Sequence, residues 1–255
     1  MAKKDRNSER DERRERLERM RREAERGERR RSLIVVAVCV VIALVIAALT
    51  GWKLYQDNQR DDELASTDLA GIGVGADEAG CQDILTKGAE GAGVHLDGEP
   101  IDYPDAPPAF GAHWNAPAEI SLKFYTADDR PELQRLVHNL EHGYTILWYD
   151  QSVADDDSAL STVQDLADKF DAGTPSTQAD YNSAKFIAAP WTSDDGDPFP
   201  GGAHVALTHW AAEGEDAAEG QGMGAWQYCD EPSGEVLAAF MEEFPSTNAL
   251  EPNGG

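Results

Sequence analysis

The stretch DRPELQRLVHNLEHGYTILWY, Asp129 to Tyr149, encodes a helix followed at once by a strand. Asp129 and Glu132 stand in the D-x-x-E order of a capping box, and Pro131 falls in a first-turn position where no hydrogen bond is lost. Leu133, Leu136, Val137 and Leu140 recur at helical spacing, which predicts a helix to His142 with this stripe on a core. Gly143 supplies the stop, since a C′ residue adopts a left-handed conformation that glycine accepts without strain. Tyr144 to Tyr149, rich in β-branched and aromatic residues, predicts a strand.

Similar signals lie on both sides. Upstream, the alternating stretch Ile120 to Thr126 predicts a strand, while the Pro- and Gly-rich residues before Pro117 are expected to be ordered by docking. Downstream, Asp155 to Asp157 can cap a second helix with Leu160, Val163, Leu166, Ala167 and Phe170 on one face. Lys185 to Ala189 and Val205 to Trp210 predict strands, separated by a turn-forming segment from Thr192 to Gly202. Gly234 to Phe244 carries Val236, Leu237, Phe240 and Phe244 at helical spacing. Helices interspersed with short strands predict an α+β sandwich with a small, mostly antiparallel sheet over residues 81–244. Residues 52–80, acidic and then Gly-rich, read as a stalk, and residues 245–255 as a flexible tail.

The N-terminal part has a different character. Leu33 to Thr50 is an 18-residue run without charge. As a helix it reaches roughly 27 Å, enough to cross the hydrocarbon core of a bilayer. Arg29, Arg30 and Arg31 abut one end, and Trp52 and Tyr55 follow the other. Positive charge stays on the cytoplasmic side, so residues 1–31 are expected inside, 32–51 in the membrane and the rest outside, as a single-pass signal-anchor. A cleaved signal peptide is the alternative, but its n-region would be 31 residues long.

Charge follows the same division. Residues 1–31 hold 14 Lys+Arg against 9 Asp+Glu, and the other 224 residues hold 8 against 39, within a net charge of −26. This excludes an ordinary cytosolic globule. It also argues against a nucleic-acid binder, because the basic segment is laced with acids and sits beside the apolar run. Excess acid outside favours solubility and cationic partners, and it also binds cations weakly and without selectivity. Cys39 lies inside the apolar run. In an oxidising compartment Cys81 and Cys229 are expected to form one disulfide, worth ~3–5 kcal/mol in the chain-entropy model, with two unpaired thiols as the alternative.

All six histidines lie after the apolar run: His95, His113, His138, His142, His204 and His209. The sharpest pattern is His138-Asn-Leu-Glu141-His142. One turn apart on a helix, two imidazoles offer a chelating pair, with Glu141 near enough to act as ligand, orienter or base. They point away from the apolar stripe. The alternatives are an exposed pair, or a pair buried beneath the Pro-rich segment and hydrogen-bonded to its backbone. H-x-x-E-H is also the pattern of the inverted zinc peptidases, which need a further downstream acid. Glu213, Glu215 and Glu219 are available for that role.

Leu136-Val-His-Asn-Leu-Glu-His-Gly143 and the strand after it resemble a family of membrane-anchored bacterial proteins, abundant in actinobacteria and known only as domain of unknown function 3105. His95, Tyr103 and the stretch Pro107-Pro108-Ala-Phe-Gly111-Ala-His113 resemble its upstream motifs. Phe110 and Ala112 replace the usual Ser and Pro. The Trp-ended strand and final helix match Val205 to Trp210 and Gly234 to Phe244. The resemblance implies that His95, His113, His138, Glu141 and His142 belong together, and it implies no activity. His204 and His209 match none of these motifs. Imidazoles without thiolate favour zinc or copper. Three readings are open: a metal-binding module, a structural or interaction domain of the cell envelope with a protein partner and no metal, and a metal-dependent hydrolase with Glu141 as base.

Overall fold

The computed structural model describes residues 2–98, 100–171 and 176–254. The chain divides into two compact units, residues 1–62 and 63–255. Helix α1 (Ala2–Ser66) makes up the first and ends just inside the second. Its apolar part begins at Ile34, has a mean hydropathy of 3.0 over an 18-residue window and buries nothing within the protein. It is therefore long and apolar enough to cross a membrane. Trp52 and Tyr55 are exposed beyond it. The side chains of Arg29, Arg30 and Arg31 lie outside the described residues.

The second unit is α+β. Its five-stranded sheet has the order β1-β5-β4-β2-β3, formed by β1 (Leu85–Gly88), β2 (Thr145–Tyr149), β3 (Phe186–Pro190), β4 (Val205–Ala211) and β5 (Met223–Cys229). Among the described strands of this sheet β2 and β3 run parallel, Thr145 opposite Phe186, and the other three strand pairings are antiparallel. The helices are α2 (Leu133–Glu141), α3 (Gln151–Ala154), α4 (Asp157–Asp168), α5 (Gln178–Ser183) and α6 (Gly234–Glu243). Parallel strands need a long crossover, and α3, α4 and α5 supply it between β2 and β3.

Alternation along the strands divides the interior in two. Leu147, Tyr149, Phe186, Val205 and Leu207 pack with Val163, Leu166, Leu237 and Phe240 of α4 and α6. Ile146, Trp148, Ile187, Trp210 and Trp226 pack with Leu136, Val137 and Leu140 of α2 and with Ala109 and Ala118 of the Pro-rich segment. The sheet is the middle layer, with β2 to β5 largely buried on both faces and the edge strand β1 mostly exposed. Cys81 and Cys229 are at disulfide distance, with sulfurs 2.02 Å apart.

Several expectations meet a different structure. Helix α2 starts at Leu133, and its N-cap, Glu132, makes no side-chain cap. The Asp129 carboxylate instead accepts from Thr126 N (2.6 Å) and Oγ1 (2.8 Å), closing a turn before the helix, so no capping box forms. The helix end is as expected. Gly143 (φ +87) donates to Leu140 O at 2.9 Å and Tyr144 N to Asn139 O at 3.1 Å, the two bonds of a Schellman stop. Ile120–Thr126 is not a strand: only Phe124 bridges to Ala188 on β3. Strands β1 and β5 carry no strong signal, because Gly224 and Ala225 are poor strand formers that the seven-residue ladder with β4 holds extended.

The residues read as stalk and tail make contacts of their own in places. Helix α1 continues to Ser66, and Ile72 and Ala79 are then buried against the α4–α6 face. The terminal segment packs too: Ala249 is buried, and Glu251 N donates to Glu141 O at 3.1 Å. In each case short apolar anchors and backbone hydrogen bonds order a stretch whose composition suggests none.

Candidate metal centre

The last turn of α2 sets His138 and His142 side by side, with ring centroids 4.5 Å apart and Nε2 atoms 2.9 Å apart. The Pro-rich segment, lying over this turn, brings the others. His95 and His113 form an isolated parallel bridge, with Leu96 N donating to His113 O and His113 N to Val94 O, both at 2.9 Å. Their rings lie 4.6 Å apart, and His113 lies 4.9 Å from His138. Glu141 points into the same space, its Oε2 3.0 Å from His113 Nε2 and 4.0 Å from His95 Nε2. The five residues singled out in the sequence thus come together. Their donor atoms form two overlapping groups, His95–His113–His138 and His138–Glu141–His142, each within 4.8 Å. His113, His138, Glu141 and His142 are buried, whereas the His95 side chain is 41% exposed, so the cluster opens to solvent there.

The backbone sets the protonation of two rings. His113 Nδ1 lies 2.9 Å from Gly111 O and His138 Nδ1 2.5 Å from Trp114 O. A carbonyl can only accept, so both Nδ1 atoms carry the proton and both Nε2 atoms turn a lone pair inward when the ring is neutral. His113 Nε2 then faces the Glu141 carboxylate, two electron-rich atoms at 3.0 Å. Such an arrangement requires a cation between or upon them. In the metal-free protein a proton fills that role. Burial opposes charge on His113, but its hydrogen bonds to Glu141 and Gly111 and the Glu141 charge outweigh burial and raise its pKa. Burial likewise opposes charge on Glu141, and the bond to His113 overcomes it and lowers the carboxyl's pKa. Burial lowers His138 and His142, and their proximity adds to the effect on His142. His142 Nδ1 is buried and has no hydrogen-bond partner among the described residues.

Other groups fall elsewhere. His204 pairs with Asp150 at 2.8 Å, and His209 is buried, its Nε2–H donating to Asn248 O at 3.2 Å. Glu213, Glu215 and Glu219, the downstream acids of the peptidase reading, belong to neither donor group. A different acid approaches one ring, though it too belongs to neither group: Glu251 Oε2 lies 3.6 Å from His142 Nε2. No motif marks Glu251 in the sequence, where it sits in a segment of tail-like composition.

Four imidazoles and a carboxylate, two rings oriented by backbone carbonyls, form groups that could hold a metal ion. A family model described as "Protein of unknown function (DUF3105)" matches residues 95–254, more than half of the chain, and the match takes in all five residues. No curated protein and no solved structure matches the chain.

Proposed function

The chain belongs to the family Protein of unknown function (DUF3105), and from that premise we propose that it is a membrane-anchored metal-binding module of the cell envelope. Its site holds one divalent transition-metal ion, zinc or copper, through His138 and His142 with His113, His95 and Glu141. The observation that carries this is the pair of inward-facing Nε2 atoms on His113 and His138, held by the carbonyls of Gly111 and Trp114 against a buried carboxylate. Buried lone pairs of like sign repel, and an ion among them turns that repulsion into coordination. Binding displaces the proton on His113 Nε2, so affinity rises with pH, while the proton shared by neutral His138 and His142 shifts to His142 Nδ1.

The test is metal titration and elemental analysis of the full chain in detergent, purified without a polyhistidine tag. About one equivalent of zinc or copper per chain is expected, with His138→Ala/His142→Ala lowering it to below about a tenth. Wild-type protein that binds no more than the double variant would leave only a hydrogen-bonded structural network.

The anchor reading rests on the apolar part of α1, on the basic residues 1–31 before it, and on the Cys81–Cys229 pair, which suits an oxidising compartment. It places the N-terminus in the cytoplasm and the second unit outside. In intact cells an impermeant maleimide should label a Ser193→Cys variant and spare a Ser8→Cys variant. The opposite pattern would invert the topology.

A further inference from the structure

The C-terminal segment is docked by a series of directional bonds that converge on the end of α2. Asn248 exchanges two hydrogen bonds with the Glu213 backbone, at 2.9 and 3.0 Å, and its carbonyl accepts from His209. Glu251 N donates to Glu141 O. The buried Lys185 ammonium donates to His142 O and Pro252 O, both at 2.6 Å, so one cation ties the segment to the helix end. Tyr181 Oη donates to Gly254 O at 3.3 Å. Gly143 lets the segment approach, because a Cβ there would lie 2.3 Å from Ser246 O.

Backbone restraint on both sides of Glu251 contrasts with its side chain, which is 60% exposed and reaches to 3.6 Å from His142 Nε2. That distance is too long for a hydrogen bond. It is close to the separation of two ligands on one tetrahedral zinc, roughly 3.4 Å for bonds near 2.1 Å. The 2.9 Å between His138 and His142 and the 3.0 Å between His113 and Glu141 are hydrogen-bond distances, shorter than that separation, so these pairs would open by a few tenths of an ångström around an ion.

We propose that Glu251 is a further ligand of the metal centre, carried by the C-terminal segment, which closes the His142 side of the site over the bound ion. The proposal rests on the metal-binding reading above. It leaves the His95 side as the open face for exchange with solvent or a partner. An ion held by Glu251 favours the docked segment, so metal occupancy and docking of residues 246–254 are linked.

The experiment uses the full chain in detergent, with zinc titration, cobalt as a spectroscopic probe, and amide hydrogen exchange. Glu251 is exposed, so Glu251→Gln leaves the fold intact; Glu243→Gln on α6 controls for loss of one surface charge. Loss of Glu251 should weaken zinc at least about tenfold and change the cobalt visible spectrum. Zinc should slow exchange across residues 246–254 in the wild type and not in Glu251→Gln. Wild-type affinity in Glu251→Gln, or weaker binding with an unchanged cobalt spectrum, would overturn the assignment. Wild-type protein that binds neither metal would instead remove the metal reading itself, a result easily told from the other two.

Discussion

On the α4–α6 face of the sheet, Leu147, Leu207, Leu237 and Phe240 are almost wholly buried among hydrocarbon, and the one histidine there, His209, stacks on Phe244. On the α2 face, at similar depth, His113, His138, Glu141 and His142 occupy space that apolar side chains could fill. Both faces carry apolar cores, in which burying each large side chain is worth roughly 1.5–3 kcal/mol, but only the first is filled by them almost throughout. The second contains ionisable groups whose desolvation opposes folding, so their concentration on one face points to a function beyond packing.

The largest effect is expected on the apolar face. Phe240→Ala should destabilise the second unit by about 3–5 kcal/mol, read by denaturant titration of tryptophan fluorescence, and by a similar amount with or without zinc. A loss below about 1 kcal/mol would mean that Phe240 is not packed in a stabilising core.

The next effect separates the histidines of the two faces. Burial pushes His209 down to about 4, while its hydrogen bond to Asn248 O opposes the shift. Below its ordinary value of about 6.5 the unfolded chain takes up a proton that the folded ring refuses. Stability is therefore whole above that pH and falls as pH drops toward 4, by about 3 kcal/mol. In metal-free protein the difference between wild type and His209→Gln should show this slope. On the α2 face, His138 and His142 shift in the same direction but His113 in the opposite one, so their contributions partly cancel. A wild-type curve parallel to that of His209→Gln would erase the distinction.

Legibility in the sequence followed the range of the interactions. Helix α2 and its glycine stop, α4 with its Asp156 cap, α6 and strands β2, β3 and β4 all rest on local periodicity and local caps. The Cys81–Cys229 pairing followed from there being two cysteines outside the apolar run. The Asp129–Glu132 cap failed because Thr126, as near on the other side in the chain, offers Asp129 two donors. The edge strand β1, the docking of Ile72 and Ala79, and the path of the terminal segment depend on partners far away in sequence, which no local pattern encodes.

By itself the sequence settled that an apolar helix precedes an acidic α+β unit, and that one helix turn presents His138, Glu141 and His142 together, since hydropathy and helical spacing are one-dimensional properties. Only the tertiary structure decided that His95 and His113 join them, that Glu251 comes within 3.6 Å of His142, that Gly111 and Trp114 carbonyls aim two of the rings, and that one side of the cluster stays open. Those facts depend on which distant backbone segments lie against α2. Orientation, burial and the sign of a pKa shift exist only once those segments are in place.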